Sequence, residues 1–114
     1  LTTGTFDLKR SPGGIVDIEF VVQYLVLAHA CEYPELTRWS DVIRLLVSLE
    51  RVGVLPRRQS EALRHAYLAY RSAVHVSALS DQDPVGKVSE YEEHLTQVAT
   101  IRDVWLPGIV DAPN

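Results

Sequence analysis

What the sequence has little of narrows the class of protein before any motif is considered. Its one cysteine, Cys31, excludes an internal disulfide and is consistent with a reducing cytoplasm. Nothing basic stands beside Cys31, so we expect a buried structural thiol and not a nucleophile. Acidic residues outnumber basic ones, 15 to 11, and this weak acidity gives no support to nucleic-acid binding, which needs a basic face.

The chain also lacks the segments that direct a protein into or across a membrane. No signal-peptide pattern is present, and the longest apolar stretch is just short of a span and carries Asp17, Glu19 and Gln23. The sequence contains no methionine and starts at Leu1, so we expect a piece of a longer protein. Its 114 residues suit one domain. We therefore predict one cytoplasmic domain with no membrane partner.

Helical spacing is what the sequence does contain. Apolar residues recur three and four positions apart in several stretches joined by short links, which predicts an all-α fold, an antiparallel helical bundle of four to five helices. Residues 1–10 lack this spacing and are predicted as a short extended N-terminal lead-in, with an edge strand as an alternative near Phe6. We predict the bundle over residues 11–106 and a C-terminal tail over residues 107–114.

Capping and breaking residues set the bounds of the first two helices. The first is predicted to start within Pro12–Ile15 and to stop before Pro34. The second is predicted to begin at Ser40 as its N-cap, with Asp41 in its acidic first turn. It should end just before Gly53, because glycine suits the position after a helix C-terminus.

The third and fourth helices are separated by the longest predicted loop, residues 80–88. The third helix is predicted from Pro56 to Leu79, since proline suits a first helical turn. Ser89 and Glu92 have the spacing of a capping box, which predicts the start of the fourth helix. The loop contains Asp81-Gln-Asp83, which we interpret as a solvated turn because no strand precedes it.

The first helix is apolar around most of its circumference, which predicts a buried central helix. Its polar residues fall on two sides, with Glu19 and Gln23 on one and Asp17 and Tyr24 on the other. One interpretation is that the carboxylates only complement the helix dipole near the N-terminus. The alternative is that Glu19 and Gln23 hold a cation or a basic side chain from another domain.

Basic residues occur in two places where a ligand could bind. Lys9 and Arg10 precede the Gly13-Gly14 pair and the helix start, an arrangement that suits either an anion site or a solvated linker. Arg38-Trp39 stands at the entrance of the second helix, and we interpret this pair as packing. No His-x-x-x-His and no Cys–His cluster is present, so no zinc site is predicted.

Four segments carry a resemblance to a known family. They are Asp7-Leu8-Lys9, Gly-Gly-Ile-Val-Asp-Ile-Glu-Phe at 13–20, Gln-Tyr-Leu-Val-Leu at 23–27, and Leu-Thr-Arg-Trp-Ser-Asp at 36–41. Together they resemble the bacterial bifunctional glutamine synthetase adenylyltransferase/adenylyl-removing enzymes, over about Phe6 to Trp105. In this family two nucleotidyltransferase domains are each followed by a helical domain that opens with the second segment. The third and fourth segments resemble the C-terminal copy, which follows the adenylylating nucleotidyltransferase domain. Ser11-Pro12 departs from the family pattern.

The resemblance implies a multifunctional transferase of nitrogen metabolism that moves AMP from ATP to a tyrosine of glutamine synthetase, with Mg and ATP as cofactors of the full-length enzyme. The metal-binding carboxylates belong to the nucleotidyltransferase domain, and their Asp-x-Asp element is missing here. We therefore expect this fragment alone to be inactive, with no catalytic residue, metal or cofactor of its own. The implied cleft or interdomain residues are Lys9, Arg10, Gly13, Gly14, Asp17, Glu19 and Gln23.

The implied partners are the chain's own nucleotidyltransferase domain, glutamine synthetase and the PII signal protein. Two alternatives stay open. One is a non-catalytic module that docks glutamine synthetase or PII through basic residues of the second and third helices, which are Arg44, Arg51, Arg57, Arg58 and Arg64. The other is the corresponding helical domain of PII uridylyltransferase.

Overall fold

Four helices form the body of the part that the computed structural model describes, residues 5–81 and 85–106. They are α1 (Ile15–His29), α2 (Val42–Arg51), α3 (Arg57–Leu79) and α4 (Val88–Trp105), with a 3₁₀ turn at Pro34–Thr37 between α1 and α2. The prediction of an all-α bundle is confirmed. None of these helices combines the length and the apolar character that crossing a membrane requires.

The breaking residues act where the sequence predicts, but two predicted caps are wrong. Gly53 follows α2 with φ +86°, a conformation that favours glycine. The N-cap of α2 is Asp41 and not Ser40, since the Asp41 carboxylate accepts the N–H of Arg44 at 3.0 Å. Helix α4 starts at Val88 without a side-chain cap, so the box predicted from Ser89 does not form.

Two short strands account for the missing cap of α4. Strand β1 (Thr5–Asp7) pairs antiparallel with β2 (Val85–Lys87), with Phe6 opposite Gly86. Strand β2 runs directly into α4, which leaves no loop in which a cap could form. Residues 5–7 of the predicted lead-in therefore form a paired strand. Residues 85–87 of the predicted loop 80–88 are its partner. Asp83 and the predicted tail from residue 107 lie outside the described residues.

The core lies between α1 and the other three helices, all of which α1 contacts. Side chains from the lead-in also enter it, since Phe6 and Leu8 are 8% and 0% exposed. The buried positions of the helices follow three- and four-residue spacing, as expected for amphipathic helices. They include Ile18, Val21, Val22 and Leu25 of α1, Leu45, Leu46 and Leu49 of α2, Leu63, Ala66 and Tyr70 of α3, and Val98 and Ile101 of α4.

Two burial predictions are wrong. Cys31 follows α1 and is exposed, because the chain leaves the core as soon as the helix ends. Helix α1 is not buried all round, since Phe20 is 55% and Leu27 78% exposed. The other helices cover one side of α1 and leave its opposite side without a neighbour among the described residues.

Candidate functional site at the Gly-Gly turn

A tight turn after β1 holds the two cations that the sequence places before the helix. The Asp7 carboxylate accepts the backbone N–H groups of Lys9 and Arg10 at 2.8 and 3.3 Å. The Asp7 N–H in turn donates to the Ser11 hydroxyl at 2.9 Å. Lys9 and Arg10 are exposed, and their side chains form no ion pair within the described residues. The turn therefore presents two free cations at the N-terminal end of α1.

Both glycines of the motif are required by close backbone approaches. Gly13 has φ +86°, and a Cβ there would lie 2.9 Å from the Cα of Leu95 in α4. A Cβ on Gly14 would meet the carbonyl oxygen of Leu8 at 2.8 Å. Contacts below 3.0 Å are too short for a carbon atom, so the pair lets the turn lie directly against α4 and its own lead-in.

Four backbone donors at the start of α1, the N–H groups of residues 13–16, are used inside the chain. The N–H of Gly13 donates to the Asp17 carboxylate at 2.6 Å, and that of Gly14 to the Ser11 carbonyl at 2.8 Å. The next two N–H groups donate to the carbonyls of Leu8 and Lys9. An anion site at a helix N-terminus needs free N–H groups, and these four are not free.

Asp17 has its charge partner in the same chain, 85 positions away. Its carboxylate accepts from the Arg102 guanidinium at 2.9 Å, and the two side chains are only 12% and 11% exposed. Arg102 also binds the Asp103 carboxylate at 2.8 Å. Burial alone lowers the pKa of Arg102, but the hydrogen bonds and charges of Asp103 and Asp17 outweigh it and raise that pKa. The Asp17–Arg102 pair therefore holds the Gly-Gly turn and α1 against α4.

Glu19 and Gln23 share a side of α1, as the helical spacing predicts, but they meet different surroundings. Glu19 is half-buried beside α3. Burial raises the pKa of Tyr67 in α3, the charge of Arg71 lowers that pKa, and the charge of Glu19 adds to the rise. Gln23 is exposed. Neither side chain forms a hydrogen bond or ion pair with another described residue. Their role as contacts to another domain stays a prediction.

Gln23 belongs to a largely apolar surface that the sequence did not predict. We call Phe20, Gln23, Tyr24 and Leu27 the outward face of α1; the three apolar members are 55%, 43% and 78% exposed. Their spacing of three and four residues places them on one side of the helix. In a stretch where nearly every residue is apolar, spacing cannot separate this side from the core side. The one available signal is Gln23, a polar residue that marks the exposed direction.

Behind the turn lies a cluster of aromatic rings. Tyr70 is fully buried, with its ring 6.2 Å from Phe6, 5.8 Å from Tyr91 and 6.0 Å from His94. Its hydroxyl is buried and has no hydrogen-bond partner among the described residues. Burial raises the pKa of Tyr70 well above its usual range, and Tyr91 and Asp17 raise it further. The cluster packs Phe6 of β1 against Tyr70 of α3 and Tyr91 of α4.

The chemistry of these residues does not fit a metal or acid–base centre. Within residues 5–81 and 85–106, no group of three or more His, Cys, Asp or Glu side chains is placed to hold a metal ion. One oxygen of Asp17 already accepts from both Gly13 and Arg102. What the arrangement provides is a rigid turn and helix with an apolar face and two exposed cations at its end.

Comparisons with known proteins match most of this chain. The model of the family GlnD PII-uridylyltransferase matches residues 3–101. A bifunctional glutamine synthetase adenylyltransferase/adenylyl-removing enzyme of Methylococcus capsulatus is 44% identical over 110 residues, 96% of this chain and 11% of that protein. The enzymes of that name from Mannheimia haemolytica and Pseudomonas syringae pv. tomato are 42% and 47% identical, over 88% and 84% of this chain and 10% of each.

The chain thus spans about a tenth of the length of the curated relatives that it matches. The match nevertheless covers nearly all of this chain, including the turn, α1 and most of α4. On these matches the chain belongs to the GlnD PII-uridylyltransferase family, and the resemblance of its motifs to the bifunctional glutamine synthetase adenylyltransferases/adenylyl-removing enzymes is confirmed.

Proposed function

We propose that this chain is the helical domain of a glutamine synthetase adenylyltransferase, the C-terminal copy, and that it packs on the adjoining nucleotidyltransferase domain to complete the cleft for AMP transfer. The longer protein would transfer AMP from ATP to a tyrosine of glutamine synthetase. The observation that carries the proposal is the outward face of α1. It is part of the family motif, and yet no described residue of this chain covers it.

The outward face has the character of an interface that another domain buries. Large apolar side chains exposed together on one surface favour contact with protein, and interface centres are enriched in aromatic residues such as Phe20 and Tyr24. Gln23 lies among them, and Lys9 and Arg10 lie at the N-terminal end of the same helix. The neighbouring domain would therefore meet an apolar strip with polar and cationic groups at its margin.

Magnesium and ATP, which such a transfer would use, do not fit the residues of this chain by themselves. The best-placed carboxylate, that of Asp17, is already paired with Arg102, and the backbone donors of the turn are occupied. Lys9 and Arg10 are the only side chains at the turn with charge to offer an anion. We assign the reacting groups to the other domain and give this chain the role of support.

The test places one carboxylate in the proposed interface of the full-length enzyme. Phe20→Asp should lower AMP transfer to glutamine synthetase by about tenfold or more, because burying an unpaired charge costs several kcal/mol. The matched control is Leu68→Asp, since Leu68 of α3 is also 55% exposed but lies on a different helix. Circular dichroism and thermal melting of the 114-residue chain should show both variants folded.

Equal loss of transfer in Phe20→Asp and Leu68→Asp would contradict a specific role for α1. Full activity in Phe20→Asp would show that the outward face stays exposed in the whole enzyme. A third result, loss of folding in the isolated variant, would make the face part of the core, contrary to its 55% exposure.

We also expect the 114-residue chain to transfer no AMP alone and to bind no Mg-ATP. Titrating Mg-ATP into the labelled chain should leave its amide NMR signals unshifted, because the donors at the turn are already in use. Shifts confined to residues 9–23 would instead assign part of the nucleotide site to this domain. Transfer of AMP by the chain alone would overturn the division of roles.

The helical domain of PII uridylyltransferase is the second candidate, since the family model carries that name. The relatives at 42–47% identity carry the name of the adenylyltransferase, which favours the first candidate. Assays of the full-length protein with labelled ATP and UTP, each with glutamine synthetase and with PII, separate the two. The first candidate predicts label from ATP on glutamine synthetase. The same reactions run with and without PII test its proposed place as a regulatory partner.

A further inference from the structure

A second unusual surface lies around Trp39, away from the Gly-Gly turn. The indole is 37% exposed and two guanidinium groups lie over its ring, with the Cζ of Arg44 4.3 Å and the Cζ of Arg38 5.1 Å from the ring centre. Cations at these distances are attracted by the face of the ring. The contact between Arg38 and Trp39 agrees with the sequence interpretation of this pair as packing, and the ring also keeps an exposed part.

Trp39 and α2 form the walls of a shallow groove of about 210 Å³. Residues of α2 line it at three- and four-residue spacing, so they share one side of the helix. The lining combines cations with apolar side chains. Its members are Trp39, Ile43, Arg44, Val47, Ser48 and Arg51.

Arg44 and Arg51 line this groove, and Arg38 lies over the ring of Trp39 at its wall. None of the three has a carboxylate partner within 4.0 Å in the described part of the chain. The acidic groups that adjoin them in sequence are engaged elsewhere. Asp41 accepts the backbone N–H at the start of α2, and Glu50 pairs with Arg64 of α3 at 3.0 Å. In a chain whose net charge is −4, three unpaired cations gathered at one groove are a local excess of positive charge.

We propose that this groove, the Trp39 groove, binds an acidic segment of a partner polypeptide that carries apolar side chains among its carboxylates. Guanidinium groups recognise carboxylates, and arginine and tryptophan are the side chains over-represented where protein interfaces gain most affinity. Ile43 and Val47 supply an apolar floor that a segment with alternating charged and apolar residues would cover. This function is separate from packing on a nucleotidyltransferase domain and does not depend on it.

The groove is a poorer fit for a free phosphate or a nucleotide. Phosphate sites commonly use backbone N–H groups at a helix N-terminus, and the groove runs along the side of α2. At that terminus the Asp41 carboxylate already accepts the N–H of Arg44. The cations and the apolar floor together favour a polypeptide.

Two of the five arginines that the sequence offered for docking have carboxylate partners inside the chain. This reduces the number of arginines available to a partner protein. Arg57 pairs with Glu61 at 3.1 Å, and Arg64 pairs with Glu50. Arg58 lies in a different groove, between α3 and α4. Of the five arginines named from the sequence, the structure assigns Arg44 and Arg51 to the Trp39 groove.

The test follows the two indole N–H signals of the labelled 114-residue chain by NMR. Trp105 serves as an internal reference, because its indole donates to Gln59 at 2.8 Å outside the groove. A short peptide of alternating Glu and Leu should shift the Trp39 signal and not that of Trp105. Replacing Glu by Lys in the peptide should abolish the shift, and added salt should weaken it.

The variant Arg44→Gln/Arg51→Gln should weaken binding of the Glu–Leu peptide about five- to tenfold, since each exposed charge contributes modestly. Arg58→Gln/Lys87→Gln removes the same charge elsewhere and should change affinity by less than about twofold. An unshifted Trp105 signal in each variant reports an intact fold. Equal weakening in both variants, a shift with the Lys peptide, or tighter binding of inorganic phosphate or ADP at Trp39 would each overturn the proposal.

Discussion

The two sides of α1 differ in how far the rest of the chain covers them. On its inward side, Ile18, Val22 and Leu25 are 0–1% exposed, and Asp17 has both a backbone donor and a guanidinium partner. On its outward side, Phe20, Tyr24 and Leu27 are 43–78% exposed, with Tyr24 near the border because it lies seven positions after Asp17. The motif at positions 13–20 contributes Asp17 and Ile18 to the first side and Phe20 to the second. Among the described residues, the chain covers one side of the helix and leaves the other largely exposed.

This difference separates residues that hold the domain together from those left for a partner. Gly13, Gly14 and Asp17 make contacts only within the chain, so their presence in the motif is explained by folding. Phe20 and Gln23 are exposed, Gln23 forms no side-chain hydrogen bond with another described residue, and Glu19 lies at the border beside α3. Substitutions on the inward side should therefore lower stability, and those on the outward side should change only what the domain binds.

The largest expected effect is that of Asp17→Ala. Breaking a buried ion pair costs 3–5 kcal/mol as a rule, and we expect about 4 kcal/mol, because Arg102 and the Gly13 N–H both lose an acceptor. Urea unfolding measures it. The control Glu19→Ala, without an ion pair in the described chain, should cost less than about 1 kcal/mol. A loss below about 1 kcal/mol for Asp17→Ala would show that Asp103 alone can satisfy Arg102.

The same chemical change on the two sides of α1 gives the sharpest comparison. Leu25→Ala, at a position 1% exposed, should destabilise the chain by about 3 kcal/mol through lost burial and a cavity. Leu27→Ala, at a position 78% exposed, should stay within about 0.5 kcal/mol of the unaltered chain. Thermal or urea unfolding of the two variants decides. Similar losses would mean that a segment of this chain covers the outward face.

Two glycines with the same backbone conformation provide a smaller contrast. Gly13 and Gly53 both have φ +86°, but a Cβ would collide with α4 only at Gly13. Gly53→Ala should cost about 1 kcal/mol for the left-handed backbone, and Gly13→Ala about 2 to 3 kcal/mol because a steric clash is added. The unfolding free energies of the two variants measure this difference. Equal losses of stability would contradict a steric clash at Gly13.

The smallest expected effect has the opposite sign. Tyr70→Phe removes a buried hydroxyl that has no hydrogen-bond partner among the described residues, and it should stabilise the chain by about 0.5 to 1 kcal/mol. The pKa of Tyr70 is raised in the folded state, so the folded chain holds this proton more tightly. Stability should therefore be unaffected below about pH 10 and fall as pH rises further, and less steeply in the variant. Unfolding measured across this range tests both statements.

Local sequence signals gave most of the helix bounds. Pro34, Gly53 and Pro56 act through their own backbone conformations, so their effects can be predicted without knowing what packs around them. The caps of α2 and α4 were harder, because neighbouring residues compete for the same role. Asp41 caps α2 in place of Ser40, and β2 removes the position that Ser89 would have used.

The candidate site was predictable as a list of residues but not as a geometry. The motif identified Asp17, and burial made a partner necessary, but nothing near it in sequence pointed to Arg102. Arg102 lies 85 positions along the chain from Asp17, and a buried cation in α4 needs an acid beside it. The exposure of Cys31 and Trp39 could not be predicted from the sequence either, since it depends on where neighbouring segments end.

The sequence by itself determined the helices, their approximate bounds and the family, because these follow from spacing, backbone preference and a motif of consecutive residues. Only the tertiary structure decided which side of α1 is covered, that Asp17 meets Arg102, that β1 pairs with β2, and that Arg38 and Arg44 lie over the ring of a partly exposed Trp39. The physical reason is that these facts concern atoms far apart in the chain. Their proximity is set by the packing of whole helices, and no local pattern encodes it.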